Sequence, residues 1–257
     1  MLVLLPPSEG KLNPSRGRRL DLATLSFPEL STARRQVLDA LVALCRADVD
    51  VARRTLDLPP GLSGEVSRNA RLPEAPTAAA GRLYTGVLYD ALGLDSMSTA
   101  AKRRASSRLL VVSSLFGLLR PSDRIPAYRL SGNASLPGLG TVASVWRQVT
   151  DDVLGPLLAR HLVIDLRSGT YGGFWRPNPG QERRVVSLRV LHEANGTRSV
   201  VSHFNKATKG RLVRALLEDG ADPRTPAALV TALTRLGWQL EPTPDRRSSY
   251  DVIVGEV

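Results

Sequence analysis

Leu162-Val163-Ile164-Asp165-Leu166-Arg167-Ser168-Gly169-Thr170-Tyr171 is the stretch whose reading decides the fold. An apolar run broken only by Asp165 makes a central strand, and a polar, glycine-containing turn stops it at once. The same design occurs twice upstream. Leu2-Val3-Leu4-Leu5 ends on Pro6-Pro7, and Leu109-Leu110-Val111-Val112 ends on Ser113-Ser114. Helical periodicity fills the gaps between these strands. Val37, Leu41 and Leu44, with Leu38, Val42 and Cys45 beside them, stripe a helix from Ser31 or Thr32 to about Arg46. Cys45 is therefore a core residue.

Thr141 caps a second long helix through Val145, Trp146, Val149, Val153 and Leu158, with a kink expected at Gly155-Pro156. Arg68 to Gly81 reads as a connector, Tyr84 to Tyr89 leads into a short helix or turn near Ala91, and Leu130 to Leu139 reads as loop. Arg184 to Leu191 and Ser199 to Ser202 form a hairpin through Ala194-Asn195-Gly196. Helices over about Lys206–Glu218 and Pro226–Leu236 follow, then closing strands at Trp238–Leu240 and Asp251–Val254. Strands alternating with helices predict an α/β fold: a mixed β-sheet with helices on both faces. No repeat or low-complexity linker divides residues 1–257, so one compact domain is expected.

The net charge of +11 points to polyanionic partners. Only four of the 35 basic residues are lysines, so part of that excess reflects a general use of arginine on solvated faces. Its distribution is more informative. Ala101 to Ser135 holds seven basic residues (Lys102, Arg103, Arg104, Arg108, Arg120, Arg124 and Arg129) against Asp123 alone. His203 to Arg214 adds Lys206, Lys209, Arg211 and Arg214 with no acid. Two such clusters on one surface would make a basic cleft. No secretory signal or membrane-length apolar run is visible and there is one cysteine, which predicts a cytoplasmic protein.

Several machines are absent. No GxxxxGK[ST] or GxSxG stretch occurs. Gly138-Leu139-Gly140-Thr141-Val142-Ala143 matches a dinucleotide fingerprint but follows Leu136-Pro137 instead of a strand. His161, His192 and His203 are scattered, so neither a metal site nor a cofactor is expected.

The candidate residues gather at predicted strand ends, where open α/β sheets bind ligands. Ser8-Glu9-Gly10-Lys11 follows the first strand, and Lys11 is a compact ammonium in an arginine-rich chain. Arg120 and Arg129 flank a turn in which Asp123 orients or pairs with an arginine. Asp165 sits in an apolar run and needs a cationic partner. Lys206 and Lys209 are three apart, hence on one face at a predicted helix N-terminus. Anion binding is expected from Lys11, Arg120, Arg129, Ser168, Lys206, Lys209 and Arg211. Lys11, Asp165, Tyr171 and Lys206 are the catalytic candidates.

In their order along the chain these segments resemble the YaaA family of peroxide stress proteins. The markers are Tyr84-Thr85-Gly86, the block Leu115-Phe116-Gly117-x-Leu119-Arg120-Pro121-x-Asp123, Tyr128-Arg129-Leu130, Trp146, the Asp165-to-Tyr171 turn, and Lys206 with Lys209-Gly210. The resemblance implies a compact α/β domain with a positive cleft, a role in the hydrogen peroxide response, and less iron-dependent DNA damage. It also implies DNA binding through a helix-hairpin-helix-like element. Two departures stand out: Lys11 lies farther from Pro7 than in the family's Ser-Pro-Ala-Lys start, and Ser114 stands where the family often has glycine, which leaves Gly117 alone in the stretch that element would use. Two functions are weighed on these grounds. One is DNA binding through the phosphate backbone with little sequence preference. The other is an enzyme acting on a small anionic or nucleotide-like substrate.

Overall fold

The computed structural model describes residues 1–194 and 196–255, with the side chains of residues 202 and 203 outside the description. β1 (Leu2–Leu5) is followed by α1 (Ser31–Ala47), α2 (Val49–Thr55) and α3 (Ser63–Ala70). The two-residue β2 (Ala78–Ala79) then leads to α4 (Ala80–Leu83), α5 (Val87–Leu92) and α6 (Thr99–Arg108). β3 (Leu109–Ser113) turns back into β4 (Gly117–Leu119), and β5 (Arg124–Ile125) pairs with β2. β6 (Ser135–Leu136) and β7 (Gly140–Thr141) form a small hairpin before α7 (Val142–Leu158). β8 (Val163–Asp165), α8 (Gly169–Gly172), β9 (Val185–Ala194) and β10 (Thr197–Ser199) follow. The chain ends with α9 (Ser202–Asp219), α10 (Pro226–Arg235), β11 (Gln239–Pro242) and β12 (Ser249–Val254).

The main sheet has eight strands in the order β11-β12-β9-β8-β1-β3-β4, with β10 on β9. β1 runs parallel to both β3 and β8, and β9 runs parallel to β8 and β12. Antiparallel pairs β3/β4, β9/β10 and β11/β12 complete a mixed, mostly parallel α/β sheet, as the sequence predicts. Leu2 to Leu5 are at most 2% exposed, which explains a strand apolar on every position. Burying each such side chain stabilises the fold by roughly 1.5–3 kcal/mol.

β1 is the pivot. The chain leaves it for β3 on one side and later enters β8 on the other. A crevice opens beyond the carboxyl ends of strands at such a switch point. The register pairs Leu4 with Asp165, which puts Pro6 and Arg167 level at that end.

Several local expectations are corrected. Arg68 to Gly81 is a structured crossing, not a connector, because Asn69 is fully buried and bonds both the N–H and the carbonyl of Arg129 (3.0 and 2.7 Å). α1 begins at Ser31 behind Leu30, with no side-chain cap. The second hairpin strand ends at Ser199, and α9 begins at Ser202, so Lys206 stands one turn inside the helix. The Asn195 position of that turn lies outside the described residues. Asp123 pairs with no arginine side chain; it accepts the N–H of Arg120 (2.8 Å) and the N–H and hydroxyl of Ser26 (3.0 and 2.8 Å). The Gly138-to-Ala143 fingerprint is the β6–β7 turn, and Thr141 caps α7 through the Ser144 N–H at 3.2 Å.

Candidate functional site

A cavity of about 380 Å³ sits beyond the carboxyl ends of β1 and β8. Pro6 to Glu9 form one wall as the chain leaves β1, and Ser168, Thr170 and Tyr171 form another as it leaves β8. Gly86 to Tyr89 close it from the first turn of α5, and Ser131 and Gly132 come from the loop before β6. Lys206 of α9 stands at its mouth, exposed, with no ion-pair partner among the described residues. The interior combines apolar walls with the hydroxyls of Ser8, Ser131, Ser168 and Thr170.

Lys206 is carried there by a close helix crossing. α9 packs on α5 at Gly210, where a Cβ would fall 2.9 Å from both Ala91 Cβ and the Leu92 nitrogen. No larger residue fits without parting the helices. Tyr89 fixes α5 to the first strand by donating its hydroxyl to the Pro6 carbonyl at 2.7 Å.

Behind the cavity runs a buried polar ladder. The Ser113 hydroxyl accepts the N–H groups of Leu115 (3.2 Å) and Phe116 (3.0 Å), which fills its lone pairs. Its own proton therefore points to the Tyr128 oxygen at 2.8 Å, and the Tyr128 and Tyr84 hydroxyls share a hydrogen bond at 2.9 Å. Burial raises the pKa of all four phenols around the site, Tyr84, Tyr89, Tyr128 and Tyr171, so each remains a neutral hydrogen-bonding group at physiological pH. The amides of the Leu115–Gly117 turn are thus directed inward, and Leu115 and Phe116 are fully buried. That turn is a β-hairpin, not a helix-hairpin-helix, and its amides are closed to a phosphate.

The predicted site residues divide between this cavity and its surroundings. Ser168, Tyr171 and Lys206 line it. Lys11 lies just behind, donating to the Ser8 carbonyl at 2.8 Å and sitting 4.3 Å from the Tyr128 ring centre. Its ammonium is lowered to a pKa of about 8, chiefly by burial, with Glu9 opposing the shift. Arg129 pairs with Glu9 at 2.7 Å. Lys209 donates to the Leu166 carbonyl at 3.2 Å, and burial lowers its pKa against the pull of Asp165. Asp165 does not line the cavity. It is held by Arg167 in a two-point fork at 2.8 and 2.7 Å, while Arg167 also reaches the Tyr171 and Trp175 carbonyls. The pair fixes the β8 turn that presents Ser168 and Tyr171.

Arg120 and Arg211 stand away from the cavity. Arg120 donates to the Ser107 carbonyl and stacks over Phe27, and Arg211 is exposed on α9. The rest of the Ala101–Ser135 cluster is largely committed to internal carbonyls. Arg104 holds Leu217 and Glu218 at the end of α9, Arg108 holds Ala221, and Arg124 holds Thr77. Lys102 and Arg103 remain exposed. Sequence reasoning missed Tyr89, Ser131 and Gly132 as lining residues. Tyr84 and Tyr128 enter the sequence reading as markers of the family resemblance, with no chemistry attached.

The family model described as "Peroxide stress protein YaaA" matches residues 1–243. This chain belongs to the YaaA peroxide stress family. A UPF0246 protein of Streptomyces coelicolor is 50% identical over 261 residues, covering 100% of both chains. A UPF0246 protein of Corynebacterium efficiens is 39% identical over 99% of this chain and 100% of the relative. A more distant member from Ruegeria is 28% identical over 86% of this chain and 87% of its own length. The family match therefore takes in every lining residue of the cavity. Among the described residues no helix is long and apolar enough to cross a membrane.

Proposed function

We propose that this member of the family works in the peroxide stress response by holding a small anionic or nucleotide-like ligand in the β1/β8 cavity. The observation that carries the reading is the unpaired Lys206 at the mouth of a hydroxyl-lined cavity of about 380 Å³. That volume suits a small molecule and is far too small for a duplex. Lys206 would attract an anionic group, Ser168 and Thr170 would hydrogen-bond it, and Tyr89 and Tyr171 would flank a ring. Catalysis there would draw on Tyr171, with Lys11 and Lys209 setting the local field. The test is titration calorimetry with nucleoside monophosphates on wild type and Lys206→Ala. A loss of about tenfold in affinity, or about 1.4 kcal/mol, is expected. Equal binding by both proteins, or none by the wild type, overturns the reading.

A second reading, DNA binding, is favoured by the net charge of +11 and by the exposed cations Lys102, Arg103, Lys206 and Arg211. Such contacts would grip phosphates without reading bases and would shield DNA from iron-dependent damage. Fluorescence anisotropy on a duplex across a salt series decides it. Log K should fall with log[salt] at about −0.9 per phosphate contacted, and Lys206→Ala/Arg211→Ala should flatten that slope. Binding that vanishes near physiological salt removes this reading.

A further inference from the structure

The opposite end of the sheet carries a second concave site. Arg160, His161, Arg183, Arg184, Arg224, Thr225 and Pro226 line a groove of about 1100 Å³. Three separate stretches build it. Arg160 and His161 precede β8, Arg183 and Arg184 precede β9, and Arg224 precedes α10. The parallel register pairs Val163 with Val185, so His161 and Arg183 come level at the amino ends of adjacent strands. The sheet itself thus aligns the basic residues.

Four guanidinium groups share this groove, and none has a hydrogen-bond or ion-pair partner among the described residues. That sets them apart from Arg34, Arg104, Arg108, Arg124 and Arg167, which are all committed to carbonyls or carboxylates. No acid lines the groove. The nearby acid is Asp222, which acts on His161 and Arg224 from outside the groove lining, and the Met1 amino group already engages it. Burial, the Met1 amino group, Arg224 and Arg120 all hold the His161 imidazole below its ordinary pKa. Like charges brought together without counter-ions are unfavourable, and a multiply charged anion relieves that cost.

We infer that the groove lined by Arg160, His161, Arg183, Arg184 and Arg224 binds an oligophosphate, the phosphate chain of a nucleoside triphosphate or a short inorganic polyphosphate. Guanidinium is the cation whose planar fork matches phosphate oxygens two at a time. A single phosphate cannot occupy four such forks, whereas three phosphates in a row can. The first turn of α10 adds a favourable field at the Arg224 end, with Thr225 already capping the Ala228 N–H at 3.2 Å. This site is separate from the β1/β8 cavity and does not depend on how that cavity is used.

The experiment is calorimetry of the full chain with inorganic tripolyphosphate, ATP and orthophosphate at about 150 mM salt. Tripolyphosphate should bind at least about tenfold more tightly than orthophosphate. Arg183→Ala/Arg224→Ala should weaken it by at least about tenfold with an unchanged Tm, since both side chains are exposed. Lys206→Ala, which disables the β1/β8 cavity at the other end of the sheet, should still show the binding that Arg183→Ala/Arg224→Ala removes. In the Lys206→Ala background, ATP binding well above tripolyphosphate identifies a nucleotide as the source, and equal binding identifies the inorganic chain. The proposal falls if tripolyphosphate does not bind, if the double variant binds like wild type, or if Lys206→Ala abolishes binding. It also falls if a duplex occupies the groove and tripolyphosphate does not displace it.

Discussion

The ammonium of Lys11 stands 4.3 Å from the centre of the Tyr128 ring and donates to the Ser8 carbonyl at 2.8 Å. The aromatic face and the carbonyls of Ser8 and Glu9 replace most of its water, and the pKa falls from 10.5 to about 8 because burial outweighs the Glu9 carboxylate. The lysine that the sequence marks as a phosphate contact is thus a desolvated cation behind the cavity wall.

A pH dependence follows from that position. The folded protein releases this proton near pH 8, and the unfolded chain near 10.5. Between those values the unfolded state binds more protons, so stability contributed by this group rises with pH from about 8 to 10.5. Below pH 8 the charged form is a net cost. Lys11→Met keeps the volume, removes the charge, and should stabilise the fold at pH 7 by on the order of 1–3 kcal/mol. Urea unfolding at pH 7 and pH 10 measures it. The variant should lose the rise between the two; a parallel pH profile in both proteins would show that Lys11 keeps its ordinary pKa.

Gly210 sets a second expectation. Its missing Cβ lets α9 reach the Leu88 carbonyl and Ala91 on α5, the helix that also lines the cavity. Gly210→Ala gains helix propensity of up to about 1 kcal/mol but forces backbone apart. A net loss of about 1–3 kcal/mol is expected, together with weaker ligand binding as Lys206 moves from the Gly86–Tyr89 wall. Thermal unfolding and titration of the same variant check both effects. A stabilised variant would mean that the crossing is loose.

How far the sequence foretells this architecture depends on the kind of signal. β1, β3 and β8 are legible because they are apolar but for Ser113 and Asp165 at the ends of β3 and β8, and they give way abruptly to proline, serine or glycine. Thr141 as the cap of α7 is legible for the same local reason. Residues 68–81 were not, since Asn69 gains its structure from Arg129, 60 positions away. Charge was the least legible quantity. Arg104, Arg108 and Arg124 look like a ligand surface in one dimension, yet each spends its donors on a carbonyl remote in sequence. Arg160, Arg183 and Arg224 look isolated, and only the β8–β9 register and the placement of α10 bring them together.

Arg34 is the extreme case of an arginine used from within. It is 0% exposed and donates to the carbonyls of Phe116 (2.9 Å), Leu118 (2.8 Å), Ser26 (2.7 Å) and Phe27 (3.2 Å). One side chain on α1 thereby ties the β3–β4 hairpin, which carries the family's central sequence block, to the chain before the helix. Burial lowers its pKa to about 10, while Asp123 and Glu29 favour the charged form. Arg34→Met would fill similar space but leave four carbonyls without their donor, at a cost of roughly 3–5 kcal/mol. Arg34→Lys should recover only part of that loss, because a point charge on a flexible stem cannot reach four acceptors spread around a planar fork. Chemical denaturation of the two variants checks the order: wild type, then lysine, then methionine. Lysine matching the wild type would show that charge alone, without the fork, anchors the hairpin.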